Sequence, residues 1–83
     1  MVKYYTYVLK SRKSGKCYIG QTKNLENRIQ AHNSGLSSYT KGRGPWQLIY
    51  SEEFDTRSEA MARERYFKTG KGRDFLKNII DFE

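Results

Sequence analysis

The chain opens on a two-residue alternation and later changes to a helical period. Residues 2–11, "VKYYTYVLKS", and residues 16–21, "KCYIGQ", are rich in Tyr, Thr, Val, Ile and Leu, while the "SRKSGK" between them carries the Ser-Gly punctuation of a tight connection. Strands over 3–10 and 16–21, paired as a β-hairpin, are therefore predicted. Tyr5, Tyr7 and Leu9 share one face of the first strand, and on the second Lys16, Tyr18 and Gly20 oppose Cys17 and Ile19. From Asn24 the period becomes helical: Asn24 is a good N-cap for "LENRIQAHN", Leu25 and Ile29 form a short apolar stripe, and "NSG" terminates it. "LSSYTKGRGPW" is too polar for a core and reads as a surface loop. Residues 46–54, "WQLIYSEEF", alternate Trp46, Leu48 and Tyr50 against Gln47, Ile49 and Ser51, the pattern of a third strand, expected to be largely buried. Thr56 and Glu59 form a capping box before "AMARERYFKTG", a helix expected to end at Gly70, and a last short helix is expected over 73–80. The ββαβα order with its further C-terminal helix predicts an α+β fold over residues 1–83, with a small three-stranded antiparallel sheet flanked by helices.

Eighty-three residues suffice for one modest core and exclude two independent domains. With 36% apolar and 30% charged residues, no run approaches the roughly 20 apolar residues that span a bilayer. The N-terminal "MVKYYTYVLKS" places a lysine and polar residues where a signal peptide needs an apolar stretch, so a cytoplasmic protein with no membrane association is expected. The single cysteine, Cys17, has no second cysteine for a disulfide or zinc site and is expected to be a small buried hydrophobe.

Charge adds a partner. Residues 1–50 hold nine lysines and arginines against one acid, Glu26, giving +8, whereas residues 51–83 hold seven against eight, giving −1. Basic charge segregated in this way concentrates polyanions, of which nucleic acid is the commonest.

Two helical positions break the pattern of surface and core. Ala60, Met61, Phe67 and the stem of Lys68 fall on one face of the second helix, with Glu64 in the middle of that stripe. A carboxylate aimed near a core is either paired with an arginine or lysine or holds a metal, because loss of hydration is costly. On the first helix Arg28 and His32 lie one turn apart beside Leu25 and Ile29, and can reach one site together. Arginine suits a phosphate and histidine can relay a proton near neutrality, although a solvated arginine and a surface histidine would give the same spacing.

Taken in order, Tyr7, ten intervening residues, Tyr18-Ile19-Gly20, Arg28-x-x-x-His32 and a helix carrying Glu64 resemble the GIY-YIG nuclease superfamily. The resemblance covers nearly the whole chain and is closest to small stand-alone bacterial members, to which "YIGQT", "HNSG", "YTKGRGPW" and "EAMARERYFKTGKGR" are similar in order and spacing. The same module forms the N-terminal nuclease of bacterial excision repair, homing endonucleases of group I introns and some restriction enzymes. The first motif here is Tyr5-Thr6-Tyr7, which keeps the terminal tyrosine and lacks the glycine and isoleucine.

The resemblance implies a metal-dependent endonuclease or nickase that cuts phosphodiester bonds in DNA, in repair or recombination, with a nucleic-acid-binding module lacking catalysis as the alternative. Glu64 would hold one Mg²⁺ or Mn²⁺, since such an ion keeps waters and takes further ligands from phosphate. Arg28 would brace the non-bridging oxygens. Tyr7 or Tyr18 would accept the proton of the attacking water, with His32 as the competing base. A free tyrosine has a pKa near 10, so a phenolate needs nearby cations such as Arg28, Lys16 or the metal. Gly20 would permit close approach of a chain or phosphate, or simply end a strand. Lys41 and Arg43 would contact the nucleic-acid backbone, and Tyr39 or Trp46 could stack on an exposed base. Trp46, opening a strand, reads first as core.

Overall fold

A computed structural model describes residues 2–35 and 44–82. Strands β1 (Tyr4–Ser11) and β2 (Cys17–Thr22) are followed by helix α1 (Leu25–Asn33), strand β3 (Trp46–Phe54) and helices α2 (Arg57–Phe67) and α3 (Gly70–Ile79). The three strands form one antiparallel sheet in the order β2-β1-β3, which gives the predicted α+β fold.

The hairpin is closed by Ser11. Its N–H donates to the Lys16 carbonyl (2.8 Å), its carbonyl accepts from the Gly15 N–H (2.9 Å), and its Oγ accepts from the N–H groups of Lys13 and Ser14 (3.2 and 3.1 Å). Gly15 sits at φ +77°, where a side chain would be strained. The hairpin register pairs Tyr7 with Gly20 and Leu9 with Tyr18.

Because β1 is central, both of its faces are covered. Val8, together with Ile19 of β2, packs against Phe67, Leu76 and Phe82 beneath α2 and α3. Tyr7 and Leu9 join Trp46, with Tyr18, Leu25 and Ile29 packed alongside, so α1 covers this second face. Cys17 is half-buried against the first cluster, somewhat less enclosed than its sequence suggested.

β3 has the expected bounds and a different environment. Of its nine residues only Trp46 is buried, and Leu48 is 36% exposed. Two features explain the difference. The strand lies at a sheet edge, and the pairing shifts where Val8 faces Tyr50 while Leu9 faces Leu48, so Ile49 is an extra residue that breaks the alternation.

The helix caps follow local chemistry. Asn24 Oδ1 accepts from the Asn27 N–H (3.1 Å), and Thr56 Oγ1 accepts from the Glu59 N–H (3.2 Å). The second helix, however, stops at Phe67 rather than Gly70, and the last helix starts at Gly70 rather than residue 73. Thr69 is responsible: its hydroxyl donates to the Tyr66 carbonyl (2.6 Å) and accepts from the Gly72 N–H (3.1 Å), capping a new helix. A Cβ on Gly72 would lie 1.9 Å from the Tyr66 carbonyl oxygen, so only glycine lets α3 begin this close to α2.

Candidate active site

The central strand delivers Tyr7 to the α1 face, where 1% of the residue is exposed. Its phenol lies across Gly20, the residue opposite it in β2: a Cβ there would stand 2.5 Å from Tyr7 Oη and 2.7 Å from Cζ. The close approach anticipated at Gly20 is therefore made by Tyr7 itself. This is a packing reason for glycine, distinct from a strand-end turn.

α1 supplies the partners of that phenol. Arg28 Nε donates to Tyr7 Oη (3.4 Å), and Tyr7 Oη lies 2.9 Å from His32 Nε2. One turn of helix separates Arg28 from His32, so both reach the same oxygen. His32 is buried, only 1% exposed, and is no surface histidine. Arg28 is exposed.

The titration directions fit a neutral pair. Burial pushes the Tyr7 phenol up to about 12, with Arg28 pulling the other way and the charges of Tyr18 and Glu64 adding to the rise. Burial, then the Arg28 charge, lowers His32 below its ordinary value. A neutral imidazole has one bare, accepting nitrogen; in the tautomer that leaves Nε2 bare, Tyr7 donates to His32 while accepting from Arg28.

Tyr18 stands beside this group, half-buried, with its ring centroid 4.8 Å from that of His32 and 6.4 Å from that of Tyr7. The Arg28 guanidinium is raised first by its bond to Tyr7 and, further down, by Tyr18, so both phenols act on one arginine. Lys16 precedes β2, exposed, two residues from Tyr18.

α2 approaches from the other side of the sheet. Thr6 Oγ1 donates to the Ala60 carbonyl (2.7 Å), which fixes the helix against β1. Ala60 and Phe67 are buried, whereas Met61 is 43% exposed, so the inward stripe is Ala60, Glu64 and Phe67 without Met61. The Glu64 side chain is 24% exposed and its Oε2 accepts from Lys68 Nζ at 2.8 Å, the expected carboxylate pairing, made within one helix at i,i+4. Its charge is near enough to act on Tyr7.

Among the described residues no group of three or more His, Cys, Asp or Glu side chains could hold a metal. A lone, partly exposed carboxylate suits a hard ion that keeps its waters and takes oxygens from a phosphate; it does not suit zinc, which demands several protein ligands. Glu64 therefore fits Mg²⁺ or Mn²⁺.

Tyr39, Lys41 and Arg43 lie outside the described residues. Trp46 is core: it is 4% exposed, its N–H donates to Asn33 Oδ1 (2.6 Å), and its carbonyl accepts from Asn33 Nδ2 (3.1 Å). Asn33, which the sequence offered only as part of a helix terminator, thus pins the end of α1 to the start of β3. Lys68, read there as a packing stem, is the partner of Glu64, and the i,i+4 spacing was the available signal.

A small antiparallel sheet whose middle strand offers a buried tyrosine to an arginine and a histidine of the first helix, with a glutamate on the second, brings together residues that carried the sequence resemblance to GIY-YIG nucleases. The chain belongs to that nuclease family: the GIY-YIG catalytic domain matches residues 3–78. Among similar proteins, UPF0213 protein SSP2268 of Staphylococcus saprophyticus is 48% identical over 82 residues, covering 98% of this chain and 99% of that one. UPF0213 protein CPE1444 of Clostridium perfringens is 51% identical over 65 residues, 77% of this chain and 69% of that one. The solution NMR structure of UPF0213 protein BH0048 from Bacillus halodurans superposes with a TM-score of 0.57 at 32% identity, covering 93% of this chain and 84% of that one. No helix among the described residues is long and apolar enough to cross a membrane.

Proposed function

We propose that the protein is a metal-dependent endonuclease or nickase that hydrolyses phosphodiester bonds in DNA, in repair or recombination. The observation that carries the reading is the Arg28 guanidinium bonded to the buried Tyr7 phenol, with a second phenol, Tyr18, also acting on it. A binding module needs neither a buried Tyr7–His32 pair to hold that arginine nor a carboxylate, Glu64, whose charge reaches Tyr7.

Burial divides the work between the tyrosines. Tyr7, enclosed and pushed up to about 12, stays a neutral phenol whose bonds to Arg28 and His32 fix the guanidinium. Tyr18 is the more accessible of the two tyrosines, and with Arg28 beside it, it accepts the proton of the attacking water. Arg28 braces the non-bridging oxygens as charge gathers on them. His32, neutral through burial, positions Tyr7 and is not the primary base. A Mg²⁺ or Mn²⁺ ion held by Glu64 would supply positive charge to the phosphate and the departing oxygen. Lys16, Lys41 and Arg43 would meet the strand's backbone and Tyr39 an exposed base, consistent with the +8 charge of residues 1–50 (nine basic residues, one acid).

The test is incubation of purified protein with plasmid and branched DNA in Mg²⁺, Mn²⁺ or EDTA. Metal-dependent nicks or breaks are expected, with Glu64→Gln inactive yet binding DNA as well as the parent or slightly better. Arg28→Lys keeps charge and loses the planar fork, so its single-turnover rate should fall about a hundredfold even at saturating protein. Undiminished cleavage by Glu64→Gln removes the metal role, and full recovery of Arg28→Lys at saturation removes the catalytic arginine. A parent that cuts no DNA or RNA with any metal is a nucleic-acid-binding module instead.

A further inference from the structure

A second feature adjoins the reaction centre on its β2 side. Between that edge strand and the α2–α3 junction lies a cleft of about 320 Å³, lined by Cys17, Tyr18, Ile19, Lys68 and Arg73. Among the described residues, the two charged side chains that line it are both cations. We propose that this cleft docks a phosphodiester of the substrate strand neighbouring the one that is cut, with Arg73 as its standing cation and Lys68 as a cation delivered on metal binding.

The cleft is tied to the site by two shared residues. Tyr18 lines it and also stands 4.8 Å, ring to ring, from His32. Lys68 lines it and also pairs with Glu64 at 2.8 Å. A strand that reaches Tyr18 or Glu64 therefore has its continuation beside the cleft.

The geometry of the cations is built in. Lys68 follows the last residue of α2 and Arg73 lies in the first turn of α3, where its N–H donates to the Thr69 carbonyl (2.9 Å). The Thr69 cap and the Gly72 contact with Tyr66 lock the two helices at this junction. The Arg73 guanidinium also lies 5.7 Å from the centre of the buried Phe82 ring, which orders it against the core.

Lys68 has a different freedom. Its side chain is 51% exposed on a long flexible stem and pairs with the Glu64 carboxylate. A divalent cation at Glu64 would repel the ammonium, and the phosphate in the cleft would become its new counter-ion. Cation binding and strand binding are then coupled through one lysine, and the coupling is reciprocal.

The identity of the docked strand rests on the nuclease reading, so the test is equilibrium binding and needs no cleavage. Affinity for fluorescently labelled single-stranded and duplex DNA would be followed by anisotropy against salt, in EDTA and in Ca²⁺. Arg73→Gln should flatten the log–log salt slope by about 0.9 on duplex or about 0.7 on a single strand in both conditions, and Arg73→Lys should restore it. Lys68→Gln, at an exposed position that does not endanger folding, should flatten the slope in Ca²⁺ and leave it nearly unchanged in EDTA. A parental slope in folded Arg73→Gln, or no DNA binding by the parent, overturns the cleft; an equal loss from Lys68→Gln in both conditions overturns the handover. A parent that binds but never cuts defeats the nuclease reading alone, since the Arg73 slope still decides the cleft.

Discussion

The two faces of the sheet share a central strand and bury different chemistry. Beneath α2 and α3, Val8, Ile19, Phe67, Leu76 and Phe82 form an apolar cluster, and the buried Thr6 hydroxyl is satisfied by the Ala60 carbonyl. Beneath α1, the equally buried Tyr7 and His32 are polar and satisfy each other. Apolar burial is non-directional and tolerates adjustment, whereas a buried phenol and imidazole are stable only in the one geometry that pairs them. The first face therefore holds the fold and the position of α2, and the second holds Arg28.

This contrast can be broken from its apolar side first. Phe67 is fully enclosed and stacks on Phe75 with ring centroids 6.1 Å apart. Phe67→Ala should lower unfolding stability by about 3–5 kcal/mol in urea titrations, and cleavage should fail with folding because α2 loses its anchor. A small loss would mean that α2 is held by its polar ties alone.

Gly20→Ala attacks the other face. The new methyl would meet the Tyr7 phenol at 2.5 Å, so a cost of about 1–3 kcal/mol is expected together with displacement of Tyr7 from Arg28. Tyr7→Phe is gentler, costing about 1 kcal/mol by deleting a buried hydrogen-bonding group. Its single-turnover cleavage rate should nevertheless fall well beyond what that destabilisation explains, because Arg28 loses its anchor. Equal activity of Tyr7→Phe and parent, measured well below the melting temperature, would divorce the buried pair from the chemistry.

The smallest effects are read from pH. The Tyr7 phenol is raised to about 12 by burial, so its contribution to stability is complete below the unfolded value near 10 and is lost as pH climbs toward 12. Tyr50, pushed up to about 12 by burial and its bond to Glu52, gives a like slope, so Tyr7→Phe should roughly halve the alkaline loss in melting experiments. For His32 the folded value is lowered, so the unfolded chain takes up the proton first and stability declines as pH falls through about 6.5. His32→Gln should remove that acid slope, and its persistence would mean that another group carries it.

Much of this was written in short stretches of chain. The hairpin, the Asn24 and Thr56 caps, the bounds of β3 and the spacing that places Arg28 and His32 on one side of α1 all depend on neighbours within a few residues, which is where turn chemistry, capping and periodicity act. The motif residues were legible for the same reason, as fixed types at fixed separations. Tertiary structure decided what distant residues do to one another. β3 is half-exposed because it is an edge strand with a bulge, which alternation alone does not reveal. Thr69 ended one helix by starting another because Gly72 allowed α3 to close on Tyr66. Glycine at position 20 is required by a side chain thirteen residues away in sequence and directly across the ladder, and the difference between Tyr7 and Tyr18 is one of enclosure. Residue identity sets which proton or charge a group can carry; desolvation and the partner brought by the fold keep the Tyr7 phenol neutral behind the arginine, and neither exists until the sheet and α1 have closed around it.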